Sequence, residues 1–201
     1  MKRILYCLII IMSIAACSGP GPAPNDHYYR LPPVSADADQ IPFMDGVVFV
    51  EQLIADGIYR ERSIIYSEDP EGIELNRYHY HHWVDTPSRL IRDHFINYLR
   101  TSHFASQIVS VPEIPAQLSI YGRINQFERR ITNSGVSVAV GLEFRVNTES
   151  SEIPVLLKEY SRIEKISDDS MSVSVNAFAR LLGSIYAELI EDIRAATKGE
   201  S

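Results

Sequence analysis

The sequence predicts an α+β domain: a mostly antiparallel β-sheet with two amphipathic helices packed on one of its faces. Three observations carry this reading. Val136, Val138, Val140, Leu142, Phe144 and Val146 form an unbroken period-2 series, the pattern of a strand with one apolar face. Thr86-Pro87 sets a hydroxyl residue before a proline, the signature of a helix start, and Leu90, Ile91, Phe95, Tyr98 and Leu99 then recur at helical spacing. A second such stripe, Phe178, Leu181, Leu182, Ile185, Leu189 and Ile193, closes the chain. Strands, a helix, strands and a helix in that order fit an α+β layer architecture.

At the N-terminus, Lys2 and Arg3 precede an apolar run over 4–12 and then Ser13-Ile14-Ala15-Ala16-Cys17. Basic residues, a short apolar core and small residues make a secretory signal. The run is too short to span a bilayer, which takes roughly 20 residues. Ile14-Ala15-Ala16-Cys17 is similar to a bacterial lipobox, in which the cysteine is acylated, for example by palmitate, and becomes the new N-terminus. The expected organisation is a signal peptide over 1–16, a lipidated Cys17 with a proline-rich tether over 17–42, and one folded domain over 43–197. Six of the eleven prolines fall between Ser18 and Pro42, so that stretch reads as an extended leash. Tyr28-Tyr29-Arg30-Leu31 interrupts it and suggests local docking as a short edge strand.

The remaining elements follow in order. The apolar run over 47–54 reads as a buried strand, and Asp56-Gly57 as a turn. Strands are expected over 63–66 and 73–83, a helix over 87–101, and strands over 107–111 and 118–127. Asn133-Ser134-Gly135 turns the chain into the valine-rich strand, and a further strand covers 155–164. The last helix is expected over 172–195. Acids in its final turns oppose the helix dipole, which predicts a frayed end.

Composition excludes several functions. Removing Lys2 and Arg3 from the 19 basic residues leaves 17 against 26 acidic ones, a net charge of −9. Such a chain has no electrostatic footprint for nucleic acid and no polybasic patch for lipid headgroups. The only cysteines are Cys7 and Cys17, so the folded domain has neither a disulfide nor a catalytic thiol. No Gly-x-Ser-x-Gly elbow, P-loop or dinucleotide fingerprint occurs, and the chain reads as a non-enzyme without a cofactor.

One stretch is chemically unusual: Tyr78-His79-Tyr80-His81-His82-Trp83. On a regular strand His79 and His81 share a face, and His82 points the other way with Tyr80. The two histidines could supply part of a zinc site, although no second ligand cluster accompanies them. Tyr78, Tyr80 and Trp83 are candidate partner-binding residues, because such side chains present an apolar body with a polar tip. Trp83 could equally anchor the core.

Taken in order, these features resemble the ABC-type transport auxiliary lipoproteins of the paraquat-inducible protein C type. The resemblance runs through Cys17, Tyr28-Tyr29-x-Leu31, the valine strand, Arg62-Ser63-Ile64-Ile65, and His82-Trp83-Val84-Asp85-Thr86-Pro87. Val84 stands where the family commonly has alanine. The resemblance implies a periplasm-facing, non-catalytic lipoprotein. It would act beside an ABC transporter permease and ATPase and a mammalian-cell-entry (MCE) type lipid-binding protein, moving lipid between inner and outer membranes. Ser18, rather than aspartate, after the cysteine points towards the outer membrane. A lipid carrier or a His-based metal binder are the alternatives, and a homo-oligomer stays open.

Overall fold

A computed structural model describes residues 24–198, apart from 37, 38, 70, 112, 113 and 152. Cys17 and the signal segment lie outside the described residues. The elements are β1 (His27–Tyr29), β2 (Met44–Val50), β3 (Ile54–Ala55), a 3-10 turn (Gly57–Arg60), β4 (Ser63–Ser67) and β5 (Asn76–Trp83). They continue with α1 (Pro87–Thr101), β6 (Ala105–Val109), β7 (Leu118–Thr132), β8 (Gly135–Thr148), β9 (Leu156–Lys165) and α2 (Met171–Lys198).

The domain is α+β, but the expected mostly antiparallel sheet is not what forms. Among the described residues the nine strands make one mixed, curled sheet. Five of its strand pairs are parallel: β1 with β5, β2 with β6, and β7 with each of β2, β3 and β4. Three are antiparallel: β4 with β5, β7 with β8, and β8 with β9. The reason lies in β7, whose 15 residues extend about 50 Å at the usual rise. Along one edge it takes three short strands end to end, with Val48 opposite Leu118, Ile54 opposite Arg123 and Ile65 opposite Glu128. The chain from β2 to β4 is thus one interrupted strand. Alternation dictates which face a side chain takes and is silent about the direction of the neighbouring strand.

Both helices pack on the same face. Phe95 of α1 lies 5.6 Å from Phe144, and Phe178 of α2 lies 4.4 Å from Phe127, centroid to centroid. Val138, Val140, Leu142, Phe144 and Val146 of β8 are fully buried beneath them. Gly122 makes room for this layer, since a Cβ there would stand 2.7 Å from Leu53 Cγ. Helix α2 is long and apolar enough in composition to cross a membrane, yet its apolar side is the core of the domain, with Phe178, Leu182, Ile185, Tyr186, Leu189 and Ile193 fully buried. Its acidic end does not fray as expected. Lys158 of β9 reaches Glu188 at 2.9 Å and Asp192 at 2.8 Å, Arg162 also pairs with Glu188, and the helix continues to Lys198.

A bulge in β7 between Ile124 and Gln126 changes the inward set. Leu118, Ile120, Gly122 and Ile124 face the helices before it, and Phe127 and Arg129 after it. An extra residue in a strand reverses the faces of all that follow.

The folded body also takes in residues that the sequence assigned to the tether. Residues 26–36 form a strap along β5 and the helices. β1 pairs with β5 in register His27–His81, Tyr28–His82, Tyr29–Trp83, as the docked edge strand expected around Tyr28 and Tyr29. Leu31 is buried, and Val34 fills the space beside Gly183. Further on, Phe43 stacks on Phe104 at 5.5 Å.

Candidate functional site

The histidine-rich strand β5 and the strap above it hold the side chains that the sequence singled out. β5 is not a regular strand. Ser63 pairs with His82 and Ile65 with Arg77, so two steps on β4 face five on β5. The extra residues break the alternation. His79 and His81 therefore do not share a face as a regular strand would require. His81 turns in against Tyr78 at 5.4 Å and Tyr29 at 5.7 Å, whereas His79 stays exposed beside Tyr80.

The three aromatic candidates separate. Trp83 is 1% exposed and packs against Phe127 at 5.2 Å and Phe178 at 5.4 Å. It is a core anchor and presents no surface to a partner. Tyr78 is half-buried, its ring tilted against Tyr66 at 4.4 Å, with its hydroxyl taken by Arg129. Tyr80 is 44% exposed and remains available to a partner.

The strap is held by histidines. The Tyr29 hydroxyl and His81 Nδ1 are in hydrogen-bond contact at 2.8 Å, and the His27 ring stacks on His81 at 5.2 Å. His82 lies 5.6 Å from the Tyr28 ring, with Nε2 3.7 Å from the Asp26 carboxylate. His94, buried on α1, donates from Nε2 to the Pro32 carbonyl at 2.9 Å, and its Nδ1 faces the Tyr186 hydroxyl at 3.4 Å. The Val84 amide donates to the Tyr29 carbonyl at 2.8 Å. Downstream, His103 takes a left-handed backbone (φ 53°) at the end of α1 and donates from Nδ1 to the Asp39 carbonyl at 2.8 Å.

Burial holds His81 below the usual imidazole range, helped by the nearby charges of His27, Arg129 and His82. Burial also lowers His94, against the pull of its bond to Pro32. Arg129 was not recognisable as a site residue in the sequence. It is 4% exposed, donates to the Tyr78 hydroxyl and, at 2.6 Å, to the Asp169 carbonyl, and its Nε is buried without a hydrogen-bond partner. Only the bulge in β7 turns it inward. On the opposite face Glu128, 1% exposed, accepts from Tyr59, from Gln126 at 2.8 Å and from Arg130 at 3.2 Å. Burial first, then the Glu128 bond and charge, push the Tyr59 phenol far up. This cluster is internally satisfied.

Among the described residues no three or more His, Cys, Asp or Glu side chains gather to hold a metal ion. The described depressions are open surface features, such as one of about 310 Å³ lined by Ile54, Tyr121, Arg123, Glu143, Arg145 and Leu157.

The architecture is similar to that of solved proteins. A DUF330 protein from Xanthomonas campestris superposes with a TM-score of 0.76 at 15% identity, covering 87% of this chain and 99% of its own. An uncharacterized protein superposes at 0.69 and 16% identity, covering 85% and 99%. A hypothetical protein from Chlamydia trachomatis reaches 0.51 at 9% identity, covering 76% and 97%. At such identities the likeness is one of fold. The chain matches no family model and no curated protein.

Proposed function

We propose that the chain is a lipid-anchored envelope protein, acylated at Cys17, whose domain is a non-catalytic docking subunit of an ABC and MCE-type lipid transport system. The observation that carries the anchor is the order of features at the N-terminus: two basic residues, a short apolar run, Ile14-Ala15-Ala16 and then cysteine. Two or more acyl chains give stable attachment without a span, since each buried CH₂ contributes about 0.8 kcal/mol. The docking role is supported by the resemblance of the ordered motifs, and by a fold shared with a DUF330 protein whose own description states no activity.

The docked strap refines the geometry of this reading. Only residues 18–26 separate Cys17 from β1, a stretch that reaches at most about 32 Å when fully extended. The domain then works close to its membrane, rather than on the long leash that the prolines suggest. Tyr80 is the aromatic candidate left for a partner.

Metabolic labelling with a palmitate analogue tests the anchor. The mature chain should carry label and partition into detergent, and Cys17→Ser should lose both; a labelled Cys17→Ser chain would refute acylation at this position. Co-purification of the tagged mature protein with an MCE-type protein and an ABC permease tests the docking role, and its failure with both would reject that role. Fractionation of the envelope tells outer from inner membrane.

A further inference from the structure

Four of the six histidines meet the strap: His27 lies on it, and His81, His82 and His94 hold it. We infer that residues 26–36 form a histidine-fastened strap that mild acid releases from β5 and the helices while the sheet stays folded. The strap is fastened at separate points along its length, on β5 and on α1, by polar, directional contacts beside a few apolar ones. Leu31 is its one deeply buried apolar side chain, and Tyr29, Val34 and Ala36 pack half-buried against the core, so the apolar area that opposes its release is much smaller than that under the helices.

The groups facing each histidine decide the sign. His81 is met by His27 and Tyr29 from the strap, by Tyr78 and His82 on its own strand, and by Arg129 from β7. None of these is an acid, and a proton there adds positive charge beside a buried guanidinium. The parallel His27 and His81 rings, 5.2 Å apart, repel once both are charged. His94 is met by the Tyr186 hydroxyl from α2 and the Pro32 carbonyl, again without an acid. Its neutral form already donates to Pro32, so protonation adds a buried charge and gains only a long 3.4 Å Nδ1–H contact to the Tyr186 hydroxyl. The one acid facing this set is Asp26, 3.7 Å from His82, and that carboxylate is half exposed and screened. Arg62 lies over the Tyr28 ring and is another cation on this edge.

Burial holds both His81 and His94 below the usual imidazole range. A released strap takes up protons near the ordinary value of about 6.5. The fastening is therefore complete above that pH and is lost as the pH falls through the lowered values. Release frees residues 27–36, which adds about 30 Å to the reach of the chain at the extended rise. That this lengthens a membrane tether rests on the acylation of Cys17, whereas the release itself does not.

Hydrogen exchange of the full mature chain in detergent, normalised to intrinsic rates, tests the release. Between pH 7.5 and pH 5 the protection of peptides covering 26–36 and of the Val84 amide should fall about tenfold or more, while residues 118–148 keep theirs. In His81→Gln/His94→Gln this loss should shrink to less than about twofold, and in His79→Gln it should persist in full. Protection over 26–36 that ignores pH would overturn the inference. So would its loss together with 118–148, or a pH dependence that survives in the double variant. The measurement is independent of the palmitate label, so its failure is distinguishable from failure of the anchor.

Discussion

The β7–β8 hairpin with its helices and the strap on β5 are held by different physics. In the hairpin, Val138, Val140, Leu142 and Phe144 are fully buried, and the register runs from Leu118–Thr148 to Thr132–Gly135 with a single irregularity. Burial of each such side chain contributes about 1.5–3 kcal/mol, with no dependence on protonation. The strap has one buried apolar anchor, Leu31, and otherwise hangs largely on Tyr29–His81, His94–Pro32 and Val84–Tyr29, bonds of 2.8–2.9 Å that are each worth about 1 kcal/mol net. The first region makes a scaffold. The second makes a fastening that can be undone without unfolding the scaffold.

The strongest test of that division is Phe178→Ala. Phe178 touches Phe127 and Trp83, and its removal should cost about 3–5 kcal/mol in the denaturant midpoint. The division fails if the strap loses protection in this variant while the hairpin does not. Gly122→Val drives a side chain into Leu53 and should cost about 1–3 kcal/mol, read in the same melt.

Arg129→Met joins the two regions. It leaves the Tyr78 hydroxyl and the Asp169 carbonyl without a donor, which should cost about 1–3 kcal/mol. It also removes a charge that depresses His81, so the His81 ring signal in NMR should titrate at higher pH than in the parent protein. A lower titration point would show that Arg129 does not act on the strap.

Acid sharpens the comparison further. His94 is neutral in the fold and takes a proton more readily once exposed, so the protein should melt at lower denaturant at pH 5 than at pH 7.5. His94→Gln should reduce that difference, and an unchanged difference would place the sensitivity elsewhere. The smallest expected effect on stability is at Tyr80, where Tyr80→Ser should stay within about 0.5 kcal/mol. The same variant should weaken co-purification with an MCE-type partner; full retention would remove Tyr80 from the interface.

Much of this architecture is legible in the chain. The first helix is predicted over 87–101 and forms over Pro87–Thr101, because a proline fixes its start and one apolar stripe fixes its face. The valine series of β8 and the last helix are equally direct. Yet Thr86 makes no side-chain capping bond. Its amide is instead bonded to the Asp85 carboxylate at 2.8 Å, a choice between neighbours that residue type alone does not settle. The strap was legible only as the Tyr28–Leu31 patch, since the partner of Pro32 lies more than 60 residues away, on α1.

Sequence by itself determined most of the elements and the apolar faces of the helices and of β8, because periodicity and caps are local properties of a chain. Tertiary structure decided the direction of the strands along β7, the burial of Trp83 and Arg129, and the docking of the strap. Each of these depends on which distant segment fills an edge or a gap. The two bulges show why. One extra residue in β7, or three in β5, reassigns every side chain beyond it, and only the pairing partner says where that residue is accommodated.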